Sequence, residues 1–77
     1  MNSDDIRILI ENSIEGSVAL VSSDDNVHFD AIVISDVFSE KSLIERHQLV
    51  YECLGKSMNS EIHALTIKAL TSEENSQ

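Results

Sequence analysis

Three histidines and one cysteine are the side chains of this sequence best suited to metal ligation or thiol chemistry. His28 opens an alternating segment directly after an acidic loop, where a ring can reach outward. His63 lies near the start of another such segment, again beside a chain reversal. His47 sits within an apolar helical stripe and reads as a histidine at the edge of a core. Structural zinc takes four ligands and catalytic zinc usually three, so two histidines from separate segments are too few for a mononuclear site of their own. A metal here needs ligands from a second molecule. Cys53 falls on the flank of the helix that carries Arg46 and reads as a buried thiol, with a thiolate assisted by Arg46 as the other option.

Catalysis by acids, bases or nucleophiles needs polar groups gathered in a water-poor pocket, and the many carboxylates show no pairing signature. A glycine-rich phosphate loop, a G-x-S-x-G elbow and an H-E-x-x-H helix are all missing, so an enzyme is not expected. Charge narrows the partners further. Five Lys and Arg face 14 Asp and Glu, a net charge of −9, which makes nucleic acid and anionic membrane poor partners. Lys41, Arg46 and Lys56 are interleaved with Glu40, Glu45 and Glu52 and read as a mixed, solvated surface. Even three phosphate contacts give a salt slope of only ~−2.7 on duplex DNA. Leu49 and Ile8 stand as single apolar residues on otherwise polar helical faces.

The elements that position these groups follow from periodicity. Ser3 with Asp4 and Asp5 supplies an N-cap and favourable charge for a helix carrying Ile6, Leu9, Ile10 and Ile14, closed by Gly16. Ser17 to Ser22 reads as a strand, Ser23 to Asn26 as a turn, and His28 to Ile34 as the second arm of a hairpin with Phe29, Ala31 and Val33 on one face. From Ser42 the period changes. Leu43, Ile44, His47, Val50, Tyr51, Leu54 and Met58 form one helical stripe, with Gly55 near its end. Glu61 to Ala69 alternates again and reads as a third strand, His63, Leu65 and Ile67 on one face.

The expected fold class is therefore α+β, a three-stranded sheet with helices on one face in the order α-β-β-α-α-β and the other face left open. With 77 residues of which 42% are apolar, one small domain over residues 1–70 is expected, followed by a loose tail over 71–77. The single cysteine, the acidic start and the lack of a long apolar run point to a cytoplasmic protein without a membrane segment. Oligomeric state is left open.

The segments His28 to Ser35, Phe38 to Tyr51 and Ile62 to Lys68 together resemble the BolA family. The most specific pieces are Phe-x-x-Lys-Ser-x-x-x-Arg-His at Phe38 to His47 and Ile-His-Ala-Leu at Ile62 to Leu65. The loop-His-Phe form is similar to the bacterial branch called YrbA or IbaG. The resemblance implies a fold like the class II KH domain, without the Gly-x-x-Gly loop that KH domains use on nucleic acid. It also implies pairing with a monothiol glutaredoxin of the Cys-Gly-Phe-Ser type and a shared [2Fe-2S] cluster, completed by the glutaredoxin cysteine and glutathione. The ligands implied for this chain are His63 and, from the loop between the first two strands, His28. No cofactor is expected on the isolated chain. A DNA-binding regulator using the surface around Lys41 and Arg46 is the other function proposed for BolA proteins. Glu40 stands where the family usually has glycine, and Thr71 to Asn75 replaces the usual Thr-Pro-x-x-Trp segment.

Overall fold

The computed structural model describes residues 1–55 and 64–77. Helix α1 spans Ser3–Ser13, strand β1 Val18–Ser22, strand β2 His28–Ile34, helix α2 Leu43–Leu54, strand β3 Ala64–Leu70 and the short helix α3 Ser72–Asn75, with a 3-10 turn at Asp36–Phe38. The sheet order is β1-β2-β3. The hairpin β1–β2 is antiparallel, and β3 returns parallel to β2 after the crossover through α2, as a parallel neighbour requires. The expected α+β layering is present. Met58, Lys56, Glu61, Ile62 and His63 lie outside the described residues. Among those described, no helix is long and apolar enough to cross a membrane.

Helix α1 starts one residue earlier than the Ser3 cap expected. Asn2 is the cap, because a capping box needs an acceptor side chain three residues on, and Asp5 provides it. Asn2 Oδ1 accepts the Asp5 N–H at 2.9 Å, and Asp5 Oδ2 accepts the Asn2 N–H at 3.1 Å. Ile6, Ile10 and Ile14 then face inward, meeting Ala19 from β1, Phe29, Ala31 and Val33 from β2, Phe38, Val50 and Leu54 from the crossover, and Ala69 from β3. Burial alternates strictly along β2. His28, Asp30 and Ile32 therefore share the opposite, open face with Val18 and Leu20.

The buried stripe of α2 is rotated from the one the apolar spacing suggests. Leu43 and Ile44 are 68% and 71% exposed and Tyr51 is exposed too, whereas Arg46, Val50 and Leu54 are buried. Leu49 and Cys53 pack partly against the core, while Ile8 is exposed as its polar surroundings suggest. Arg46 is the cause. A guanidinium can enter a core only where acceptors satisfy its donors, and here it has them. Nε donates to the Lys41 carbonyl at 3.0 Å, and Nη1 donates to the Ala69 carbonyl at 3.0 Å and to Glu74 Oε1 at 2.7 Å. Its Cζ also lies 5.9 Å from the Phe38 ring centre. Arg46 is thus no part of a solvated surface.

That contact continues into the C-terminal segment. Thr71 caps α3 with Glu74 as the return partner, and the same Glu74 carboxylate reaches Arg46, while the Ser72 N–H is held by Asp36 Oδ1 at 3.1 Å. A short segment without a proline or tryptophan docks through charge-assisted hydrogen bonds instead of aromatic burial. One backbone group on each outer strand of the sheet is also paired with a side chain. Glu11 Oε2 takes the Ala19 N–H of β1 at 3.0 Å, and Arg46 takes the outward Ala69 carbonyl of β3.

Gly55 ends α2 at positive φ. Glu40 has φ 65°, a left-handed conformation that a long side chain such as glutamate adopts at a cost. Glu40→Gly is expected to raise stability by about 1 kcal/mol, read as a higher thermal midpoint. An unchanged or lower midpoint contradicts the strain.

Candidate functional site

The β1–β2 loop is built by two side chains that replace missing backbone partners. Ser23 Oγ donates to the His28 carbonyl at 2.6 Å and accepts the Asn26 N–H at 2.9 Å. Asp25 Oδ1 accepts the N–H groups of Val27 and His28, both at 2.9 Å. Asn26 takes the left-handed φ of 57° that lets the chain double back, a conformation asparagine tolerates. The loop ends with His28 as the first residue of β2.

The His28 side chain is 69% exposed, and its Nδ1 lies 3.0 Å from Asp25 Oδ2. Backbone hydrogen bonding from His28, joined by the bond to its ring, holds the Asp25 carboxyl far below the ordinary carboxylate range. An ionised carboxylate only accepts hydrogen bonds, so Nδ1 is the donor and Nε2 of the neutral ring keeps a lone pair. Ser22, Ser23, Asp24, Asp25, His28 and Asp30 line a polar cleft of about 210 Å³ on this side.

The register of the parallel pair sets His28 level with Ala64, and the Ala64 N–H donates to the Val27 carbonyl at 3.3 Å. Ala64 is the residue that follows His63 in the chain. His63, the first implied ligand, itself lies outside the described residues. Among the described residues no three His, Cys, Asp or Glu side chains converge as a metal site.

The remaining candidates divide clearly. His47 is half-buried on α2. Cys53 Sγ donates to the Leu49 carbonyl at 3.2 Å, and burial pushes its thiol up, the reverse of what thiolate reactivity needs. Arg46 is committed to carbonyls and Glu74, so it neither assists Cys53 nor offers a phosphate contact. Lys41 shares its surface depression with Glu45 and Glu52. The residue that the sequence reading leaves as mere turn chemistry is Asp25. Its signal is the Asp-x-x-His spacing across a turn, which brings a carboxylate back onto the ring three residues later.

A family signature described as BolA-like protein matches residues 8–74. The structure of a bolA protein homologue from Coxiella burnetii superposes with a TM-score of 0.89 at 35% identity, covering 100% of this chain and 99% of that one. SufE-like protein 1, chloroplastic/mitochondrial, of Arabidopsis thaliana is 43% identical over 51 residues, which are 66% of this chain and 14% of that protein. The DNA-binding transcriptional regulator BolA of Haemophilus influenzae is 36% identical over 47 residues, 61% of this chain and 46% of that protein. The chain spans less than half the length of these two curated relatives. Matched over most of its length and sharing the fold end to end with the Coxiella homologue, the chain belongs to the BolA-like family.

Proposed function

We propose that this chain is a non-enzymatic adaptor that docks on a monothiol glutaredoxin and shares a [2Fe-2S] cluster with it as cargo, for iron–sulfur trafficking or iron sensing. His63 and His28 are the ligands this chain contributes, and the glutaredoxin cysteine and glutathione complete the shell. What carries the reading is the register that sets His28, its ring exposed, level with Ala64, the residue that follows His63 in the sequence. Two imidazoles from one chain suit half a cluster shell, and nitrogen ligation raises the potential of such a cluster above that of an all-thiolate one. The matched segment makes up only 14% of SufE-like protein 1, which agrees with a module that works beside another protein.

Co-purification with a monothiol glutaredoxin and glutathione tests this directly. The complex is expected to show visible cluster absorbance that His63→Ala abolishes or strongly alters and His28→Ala weakens. A native spectrum in His63→Ala sinks the ligand assignment. The name of the Haemophilus relative favours a second reading, a DNA-binding regulator. It predicts a mobility shift with duplex DNA at physiological salt from this chain alone. The net charge of −9 and the occupied Arg46 weigh against that result.

A further inference from the structure

His28 stands on the open face of the sheet at the very start of β2, so sheet packing does not decide how its ring turns. The loop decides it. Asp25 Oδ1 is fixed by the N–H groups of Val27 and His28 at 2.9 Å each. Two main-chain donors on one oxygen leave the other, Oδ2, aimed at Nδ1 of the ring at 3.0 Å. Asp24 and Asp30 line the same cleft, but among the described residues Asp25 is the carboxylate hydrogen-bonded to the imidazole.

We propose that Asp25 is a positioning residue for His28, holding the ring proton on Nδ1 so that Nε2 is the atom presented to an iron of the shared cluster. The inference rests on the reading of His28 as a ligand. Its chemistry is that of a carboxylate behind a metal-bound imidazole, which fixes tautomer and ring direction and makes the free nitrogen a better donor. Asp25→Asn separates these effects from loop folding. The amide oxygen can keep the Val27 and His28 N–H groups, while the amide nitrogen, a donor, now faces Nδ1 and drives the ring proton to Nε2, the atom that must be bare.

Two measurements test it on the full chain. Long-range proton–nitrogen correlation at pH 8, where an ordinary histidine ring is neutral, is expected to show Nδ1–H in the native chain and Nε2–H in Asp25→Asn. In the complex with a monothiol glutaredoxin and glutathione, decay of the visible cluster absorbance is expected to be about 10–100-fold faster in Asp25→Asn, approaching that of His28→Ala. An Nε2–H ring in the native chain overturns the proposal whatever any variant does. Native cluster retention in Asp25→Asn beside rapid loss in His28→Ala overturns it while leaving His28 a ligand. Native retention in His28→Ala removes the ligand reading and the positioning role with it.

Discussion

Arg46→Ala is expected to lower stability by about 3 kcal/mol, since it removes charge-assisted hydrogen bonds and leaves buried carbonyls without a donor. The residue is 8% exposed and joins four parts of the chain, namely the Lys41 loop, α2, β3 and α3. A domain of this size holds only ~4–12 kcal/mol in total, so the thermal midpoint should drop by roughly 12–24 °C. Arg46→Lys should not restore it, because an ammonium cannot span carbonyl and carboxylate as the planar fork does. A fall below about 5 °C in a circular dichroism melt would contradict the assigned role. Acid should loosen the same junction. The Arg46 guanidinium, with the Thr71 N–H, holds the Glu74 carboxyl down to about 2 from an ordinary 4.5. The native state therefore binds fewer protons than the unfolded chain in that interval. The contribution is complete above the ordinary value and fades as pH falls toward 2. Melts between pH 5 and 2 should decline more steeply for the native chain than for Glu74→Gln.

Phe29→Ala carries the other large effect, a loss of about 3–5 kcal/mol. Phe29 is 2% exposed and, with Phe38, is one of the largest side chains fully inside. It follows His28 directly, and strand alternation sends the two rings to opposite faces of β2. The aromatic ring under the helices thus anchors the strand end from which the imidazole projects. Denaturant midpoints should fall sharply, and Phe29→Leu, which leaves a smaller void, should recover more than half of the loss. Equal losses in the two variants would mean that ring shape, not volume, is what the core requires.

Strand β2 was legible because His28 and Asp30 alternate with Phe29 and Ala31 in its first half, which sets the face toward the helices for Val33 and leaves Ile32 on the open side. Helix α2 was legible in position and illegible in rotation. Leu43, Ile44 and Tyr51 look like core by residue type, but the inward slot belongs to Arg46, whose acceptors come from Lys41, Ala69 and Glu74, the latter two 23 and 28 residues away. Burial of a charged group depends on partners distant in sequence, and local periodicity does not contain them. The docked turn at Ser72–Asn75 escaped for the same reason. At the site, His28 was visible as a residue type in a loop, whereas the ring's orientation depends on an Asp25 carboxylate whose direction is fixed only once the turn has formed.

The helix and loop caps give the chain's acidity a meaning that total charge conceals. Among the described residues, Asp5, Glu11, Asp25, Asp36, Glu45 and Glu74 are acidic side chains that each receive at least one main-chain amide hydrogen. Wholesale replacement of Asp and Glu by Lys to make the molecule attractive to polyanions would therefore strip these acceptors from its turns and caps. An engineer seeking a cationic variant has to leave these six in place and recolour the remaining carboxylates.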